Sequence, residues 1–214
     1  MLKVYEENHV FKALKDQYAT KTSIEDTDTF GAASRYKNAC CLNFASHRRP
    51  GGGYKAVEDI PAPIKTQEED LFRRSNLPAI MDTPLVRKHY PLFGCKGIYC
   101  NDVVVEKDQR LSFHTPFVTS LVTVPAVVNP QPHHADTVTA KARRIFNIAA
   151  ENNHDVIILG AWGCGVFNND PITVSSLFKQ LIETEFKGVF AEVVYAIPGK
   201  QSPNYKIFES VVCQ

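Results

Sequence analysis

Short apolar runs alternate along this chain with helical patterns, and this alternation is the feature that most constrains its fold. Four short apolar runs have the pattern of buried strands in a largely parallel sheet, at residues 39–44, 121–128, 156–159 and 192–197. Helical patterns lie between them. The sequence therefore predicts a three-layer α/β fold, with a mixed, largely parallel central sheet flanked by helices.

Three helices are predicted in the second half of the chain. Residues 136–152 carry apolar side chains at spacings of three and four, which is typical of an amphipathic helix. Asp170 and Pro171 have the residue types of an N-cap and a first helical position, so a second helix should begin there. A shorter helix is expected at 205–212.

Two glycine-rich segments each follow a predicted strand. They are NFASHRRPGGGY at residues 43–54 and GAWGCGVFNNDP at residues 160–171. Glycine lets the backbone approach a ligand closely and point its N–H groups at phosphate oxygens. Neither segment matches the dinucleotide fingerprint or the P-loop. Because ligands of α/β sheets bind beyond the carboxyl ends of the strands, we expect a local anion site at this edge.

Two adjacent carboxylates, Glu68 and Glu69, open a helical pattern between the glycine segments. They are candidates for acid/base chemistry on a phosphorylated sugar or nucleotide. A second interpretation is structural, because Thr66 and Glu69 have the spacing of a capping box. A helix N-terminus also favours the ionised carboxylate, which opposes proton donation unless burial or bound phosphate raises the pKa.

Composition excludes several classes of protein. At 214 residues and 44% hydrophobic content, the chain is long enough for one buried core, and we expect a single domain over residues 1–214. A net charge of +1 gives no general attraction to nucleic acid or to anionic lipid, so neither sequence-specific nucleic-acid binding nor a membrane partner is expected. No membrane span or signal peptide is evident, which favours a cytoplasmic or nuclear location.

The six cysteines do not suggest a disulfide scaffold in a chain of this size. We interpret them as reduced thiols that serve as small apolar residues. Cys95 and Cys100, with His89 nearby, fit no zinc-ligand spacing. No metal is therefore expected.

At its motifs the chain resembles the microbial-type poly(ADP-ribose) glycohydrolases of the macrodomain superfamily. The matching segments are NFAS at 43–46, PGGG at 50–53, QEEDLFRRS at 67–75 and GAWGCGVFNNDP at 160–171. They occur in the family's order. The resemblance implies a macrodomain-like domain that acts on ADP-ribose, or on ADP-ribosylated protein or nucleic acid, and requires no cofactor.

The resemblance also implies roles for the two carboxylates. Cleavage of a glycosidic bond needs a proton for the leaving oxygen and then an activated water, and one Glu can supply both in turn. By family position that residue is Glu69, while Glu68 would hold ribose hydroxyls. Successive helical side chains point about 100 degrees apart, so the two cannot share one task in the same way.

The substrate contacts that the resemblance implies come mainly from the two glycine loops. Asn43 and Phe167 would contact the distal ribose, Asp26 the adenine amino group, and Trp162 would either wall the pocket or fill the core. The full set is Asp26, Asn43, Gly51, Gly52, Gly53, Gln67, Gly160, Trp162, Gly163, Cys164, Gly165, Val166 and Phe167.

The segment between PGGG and QEE, residues 54–66, is longer than in the family and contains Pro61 and Pro63. We interpret it as a shaped flap over the distal-ribose end, which would favour chain ends or single ADP-ribosyl units over internal bonds. Two other functions remain open. One is a macrodomain that binds ADP-ribose without turnover, and the other is a hydrolase or binder of another NAD-derived nucleotide.

Overall fold

The computed structural model describes residues 2–57 and 66–213. Strands in this part of the chain are β1 (Leu2–Tyr5), β2 (Lys21–Glu25), β3 (Ala39–Asn43), β4 (Gly97–Lys107), β5 (Phe113–Thr123), β6 (Val156–Leu159) and β7 (Glu192–Ala196). Helices are α1 (Thr29–Ala33), α2 (Gln67–Arg74), α3 (Leu77–Met81), α4 (Pro84–Arg87), α5 (Ala135–Glu151), α6 (Pro171–Glu183) and α7 (Pro203–Val212). Short 3-10 turns lie at Tyr54–Val57 and Pro132–His134.

The seven strands described form one mixed sheet in the order β1-β4-β5-β3-β6-β7-β2. Strands β5, β3, β6, β7 and β2 are parallel to their neighbours in that order, whereas β1, β4 and β5 pair antiparallel. The parallel strands alternate with helices, as the sequence predicts. The predicted three-layer α/β fold is confirmed.

Helices cover both faces of the sheet, and the alternation of side chains along β3 shows the two layers. Cys40 and Leu42 pack into a core with α5, α6 and α7, while Ala39 and Cys41 pack into a second core with α1 to α4. A strand buried on both faces has apolar residues at every position, which explains its unbroken apolar run.

The strand predicted at 121–128 is wrong at both ends. Strand β5 begins at Phe113 and ends at Thr123, because Pro125 has no N–H to donate to a neighbouring strand. The first half of β5 pairs with β4 in a hairpin that is partly exposed, so it carries no apolar run. Strands β1, β2 and β4 were not predicted.

The predicted helices are confirmed within one or two residues. Helix α5 spans Ala135–Glu151, and α7 begins two residues before its predicted start. Asp170 caps α6 by accepting a hydrogen bond from the Thr173 N–H at 2.9 Å, with Pro171 at the first helical position.

All six cysteines are free thiols, and Cys40, Cys41 and Cys100 are buried. These three fill the sheet as small apolar side chains, as predicted, whereas Cys213 is exposed and does not. Among the described residues, no helix is both long and apolar enough to cross a membrane.

Candidate active site

A cleft of about 1220 Å³ opens beyond the carboxyl ends of β3, β6 and β7. One wall is formed by the first glycine loop and the start of α2, and the opposite wall by the loop that follows β6. Ligand pockets of proteins are commonly about 300–1000 Å³, so this cleft has room for a dinucleotide-sized ligand. The predicted site residues are thus brought to one edge of the sheet.

Glu68 lies at the bottom of this cleft and is only 2% exposed. Its carboxylate accepts hydrogen bonds from the Ser46 N–H (2.7 Å), the Gly51 N–H (3.1 Å) and the Asn43 side-chain amide (3.2 Å). Burial raises the pKa of Glu68 to about 8, although these three donors act in the opposite direction. Glu68 therefore ties the end of β3 to the glycine loop.

Glu69 is the second carboxylate of the cleft and is 6% exposed. Its Oε1 accepts a hydrogen bond from the Gly53 N–H at 2.9 Å, and its Oε2 has no partner among the described residues. The capping-box interpretation is wrong. Thr66 makes no side-chain cap hydrogen bond. The Glu69 carboxylate accepts its hydrogen bond from Gly53 in the glycine loop and not from the N-terminus of the helix.

The first glycine loop is a carboxylate cradle, which corrects the predicted phosphate cradle. Gly51 and Gly53 donate their N–H groups to Glu68 and Glu69, and Gly52 donates weakly to the Arg49 carbonyl at 3.4 Å. A Cβ atom on Gly52 would overlap the Oε1 atom of Glu69. Glycine is required here because the carboxylate occupies the space of a side chain.

The second glycine loop has the free donors that the first one lacks. The backbone N–H groups of Gly163, Gly165, Val166 and Phe167 have no acceptor among the described residues. Asn169 supports the loop from inside, since its buried amide donates to the carbonyls of Val127 (2.8 Å) and Gly163 (3.2 Å) and Phe167 (3.3 Å). Consecutive unpaired N–H groups at a cleft are suited to an anion such as a pyrophosphate.

Two side chains of the second loop point away from the cleft. Trp162 is fully buried and donates its indole N–H to the Val124 carbonyl at 2.9 Å, so its ring belongs to the core. The Cys164 thiol lies 3.6 Å from the Trp162 carbonyl, and burial raises its pKa to about 12. Trp162 therefore takes the core position, which is one of the two roles predicted for it, whereas Cys164 is not among the described residues that line the cleft, which corrects its predicted substrate contact.

Gln67 and Asn43 hold the site together from behind. The Gln67 side chain accepts from the Phe44 N–H at 2.8 Å and donates to the Leu42 carbonyl at 2.7 Å and to Thr29 at 3.0 Å. It thereby fixes the start of α2 against the end of β3. Asn43 is fully buried beside Glu68, and its Oδ1 has no partner among the described residues.

Asp26 and Gly160 have structural contacts outside the lining of the cleft. The Asp26 carboxylate accepts a hydrogen bond from the Gly199 N–H at 2.7 Å. A Cβ atom on Gly160 would lie 2.8 Å from the Ala196 carbonyl, so this glycine permits close packing between β6 and β7. Phe167, by contrast, lines the cleft and has an edge-on contact with His47, with ring centroids 6.4 Å apart.

An acid that does line the cleft is Asp28, two residues after Asp26. It caps α1 by accepting from the Gly31 N–H at 2.7 Å and pairs with Arg74 at 3.0 Å. Burial acts to raise the pKa of Asp28, but Gly31, Arg74 and the side chain of Gln109 together outweigh it and lower the pKa below its usual value. Asp28 is therefore a fixed negative charge at the start of α1.

Sequence reasoning missed several other residues that line the cleft. They are Thr29, Phe44, Gln109, Leu111, Ala126, Ile197, Pro198, Ser202 and Asn204. Phe44 and Ile197 directly follow the carboxyl ends of strands, and this position could have identified them. Gln109 and Leu111 come from the β4–β5 hairpin, for which the sequence had no local signal.

Residues 58–65 of the predicted flap, with Glu58, Asp59, Pro61 and Pro63, lie outside the described residues. Within residues 2–57 and 66–213, no three His, Cys, Asp or Glu side chains are grouped in a way that could hold a metal ion.

A family comparison covers the part of the chain that contains both buried carboxylates. The microbial-type PARG catalytic domain matches residues 2–108, half of the 214-residue chain. The chain belongs to the microbial-type poly(ADP-ribose) glycohydrolase (PARG) family. It is accordingly a glycoside hydrolase of the PARG type.

Solved structures of bacterial PARGs have the same fold. The Thermomonospora curvata enzyme superposes with a TM-score of 0.85 at 28% identity, over 98% of this chain and 85% of that one. The Deinococcus radiodurans enzyme in complex with ADP-ribose gives a TM-score of 0.80 at 29% identity, over 91% and 85% of the two chains. The T. curvata enzyme bound to the inhibitor ADP-HPD gives 0.78 at 29%, over 90% and 79%. Among curated proteins, none matches this PARG-family chain significantly.

Proposed function

We propose that this protein binds an ADP-ribose unit in the cleft and hydrolyses its ribosyl bond, with Glu69 as the general acid and then the general base. The observation that carries the proposal is the state of the Glu69 carboxylate. One oxygen is fixed by the Gly53 N–H, and the other is buried at the cleft with no partner among the described residues. Because buried polar atoms are rarely left unpaired, an Oε2 in this state is suited to bind a ligand atom.

The proposed reaction uses the Glu69 carboxyl group twice. The Glu69 acid gives its proton to the leaving oxygen as the bond to the ribose C1 atom breaks, and positive charge develops on the ribose. The resulting carboxylate then removes a proton from a water whose oxygen bonds to C1. The products are ADP-ribose and the free hydroxyl of the leaving group, and Glu69 is again protonated.

Glu68 would act mainly by positioning. Its bonds from Asn43 and Ser46 hold the end of β3 against α2, and its bond from Gly51 holds the glycine loop whose Gly53 N–H binds Glu69. Its raised pKa favours the protonated form of Glu68 at neutral pH. Glu68 would also contact ribose hydroxyls of the substrate.

The second glycine loop would bind the pyrophosphate. Support comes from the unpaired N–H groups of Gly163, Gly165, Val166 and Phe167 at the cleft. Solved relatives at 29% identity contain ADP-ribose or ADP-HPD, which are ligands of the same class. We extend the proposal to residues 1–214 acting as a single domain, and to ADP-ribosylated protein or nucleic acid as the substrate.

The rival function is an ADP-ribose-binding macrodomain without turnover, and the Glu69→Gln variant distinguishes these two functions. Glu69→Gln keeps the side-chain shape but has no transferable proton, so hydrolysis of poly(ADP-ribose) should fall by about 10²–10⁴-fold. The dissociation constant for ADP-ribose, measured by calorimetry, should change by less than about threefold.

Glu209→Gln is the matched control, since Glu209 is exposed on α7 and makes the same change of charge. Its rate should equal that of the wild type. If Glu69→Gln releases ADP-ribose at the wild-type rate, the carboxylate is not the catalyst. If the wild type binds ADP-ribose but hydrolyses neither polymer nor single ADP-ribosyl units, the binding module is the correct function.

A further inference from the structure

A second cavity, of about 510 Å³, lies on the other side of the first glycine loop from the cleft. Gly52 and Gly53 border both cavities, as do Arg48 and Arg49. The two spaces therefore meet along this rim. Because Gly53 also holds Glu69, the rim lies directly beside the carboxylate that would act on the ribosyl bond.

The second cavity carries more positive than negative charge. Lys55 and Arg87 both pair with Asp82, with Lys55 Nζ at 2.6 Å and Arg87 Nε at 2.5 Å from its oxygens. Arg48 and Arg49 are exposed and have no carboxylate partner among the described residues. Four cationic side chains and one carboxylate thus line the cavity, and this excess of positive charge attracts an anion.

Two tyrosines give this cavity apolar walls. The Tyr54 hydroxyl donates to Asp82 at 2.7 Å, which fixes its ring beside Lys55. Tyr90 also lines the cavity, and its buried hydroxyl has no hydrogen-bond partner among the described residues. Arginines and aromatic rings together are suited to phosphate and to a nucleobase.

We propose that the second cavity is a leaving-group subsite, which holds the phosphate-bearing nucleotide released when the ribosyl bond is cut. This inference rests on the proposed function. In poly(ADP-ribose) the leaving oxygen belongs to the ribose of the next ADP-ribosyl unit, so the leaving group carries a pyrophosphate and an adenine. A cavity of this volume, with cations and aromatic rings beside Glu69, matches that chemistry.

Arg87 and Lys55 are the residues that test the subsite, because they line the second cavity and not the cleft. Two substrates are compared: short poly(ADP-ribose), and an aryl glycoside of ADP-ribose whose leaving group has no phosphate. Arg87→Gln and Lys55→Gln should each lower the ratio of kcat/KM for polymer to kcat/KM for the aryl glycoside, by about threefold, as expected for one screened charge contact.

The dependence of KM on salt concentration gives an independent test of the subsite. Between about 50 mM and about 300 mM NaCl, the KM for polymer should rise more steeply than the KM for the aryl glycoside, because exposed charge contacts are screened. Arg143→Gln, on a partly exposed arginine of α5 that pairs with Glu185, is the matched control and should leave the ratio at the wild-type value.

The outcomes separate the two proposals. If the wild type hydrolyses both substrates and the ratio is unchanged in both Arg87→Gln and Lys55→Gln, the leaving-group subsite is wrong while the proposed function stands. If the wild type hydrolyses neither substrate, the proposed function is wrong, and the subsite proposal that rests on it is wrong as well. A ratio that falls in both variants and not in Arg143→Gln supports the subsite.

Discussion

At the scale of single residues, Gly52 and Glu69 occupy complementary spaces. Gly52 has φ +53, and the position that its Cβ would take is filled by the Glu69 carboxylate. A side chain at position 52 would therefore face two penalties, a backbone conformation that L-residues rarely adopt and a direct overlap with the proposed catalyst. The glycine is needed for the placement of Glu69 as much as for the turn.

We expect Gly52→Ala to lower kcat by at least about 10²-fold, since a displacement of a catalytic group by about 1 Å can cost that much. Gly199→Ala is a matched control, because φ is +84 and the nearest atom to a Cβ there lies at 3.7 Å. Both variants carry the strain of a positive φ and only Gly52→Ala adds the overlap with Glu69, so both melting temperatures should fall, and that of Gly52→Ala by at least as much. Equal kcat values in the two variants would show that the overlap with Glu69 has no effect on catalysis.

Glu68 should make folding stability depend on pH. Its folded pKa is raised from 4.5 to about 8, so the unfolded state binds fewer protons between these values. The stabilisation from its proton is complete below pH 4.5 and is lost as pH rises toward 8, by up to about 1.4 kcal/mol per pH unit. Glu68→Gln should remove this slope.

Urea unfolding between pH 6.5 and 8 measures the effect. His154 contributes with the opposite sign, because burial lowers its pKa below 6.5, so its contribution is lost as pH falls through 6.5 and is nearly constant in this window. Identical slopes for wild type and Glu68→Gln would rule out the raised pKa of Glu68.

At the scale of elements, the loop between β6 and α6 contains two glycines in different surroundings: Gly163 is tightly packed, and Gly165 has free space where a side chain would lie. A Cβ on Gly163 would lie 2.6 Å from the Asn169 amide and 2.7 Å from the Ala126 methyl, at φ +72. A Cβ on Gly165 would meet nothing within 4 Å. The first glycine shapes the loop, and the second leaves space at the cleft.

Leucine substitutions at these two positions should therefore have different effects. Gly163→Leu should destabilise the protein by several kcal/mol, because the residue is strained and overlaps its neighbours. Gly165→Leu should leave the melting temperature nearly unchanged while weakening ADP-ribose binding at least about tenfold, since its side chain enters the ligand's space. Calorimetry and thermal unfolding of both variants measure this, and tight binding by Gly165→Leu would contradict the proposed pyrophosphate site.

Elements with a strong local signal were predictable from the sequence. The periodicity of α5, the Asp170 cap of α6 and the apolar run of β6 each depend on neighbouring residues, and all are confirmed. The β4–β5 hairpin depends on pairing between distant segments and has a partly exposed face, so no run or period marked it. For the same reason, the contact of Glu69 with Gly53 could not be predicted, and a local capping pattern gave the wrong interpretation.

At the scale of the whole molecule, the cleft joins the carboxyl ends of β3, β6 and β7 with the starts of α1, α2 and α7. A ligand bound there contacts both cores through the elements that line it. Binding should consequently stabilise the fold as one unit and not one layer alone. The position of the site, although not its individual contacts, was predictable because parallel strands gather their carboxyl ends at one edge.

ADP-ribose at 100 times its dissociation constant should stabilise the protein by about 2.7 kcal/mol. Thermal unfolding should remain a single transition that moves upward as a whole. AMP at the same multiple of its own dissociation constant is the control for binding of the adenosine part. Absence of any shift with ADP-ribose would contradict the proposed ligand.

Cys40 and Cys41 are neighbours in the central strand but face opposite layers of the molecule, and both are fully buried. Burial raises the pKa of both thiols, that of Cys41 to about 12, so neither is a reactive thiolate in the folded state. These two adjacent thiols can therefore report separately on the opening of the two layers. Alkylation of Cys40 records the opening of the α5–α7 layer, and alkylation of Cys41 records the opening of the layer that carries Glu68 and Glu69.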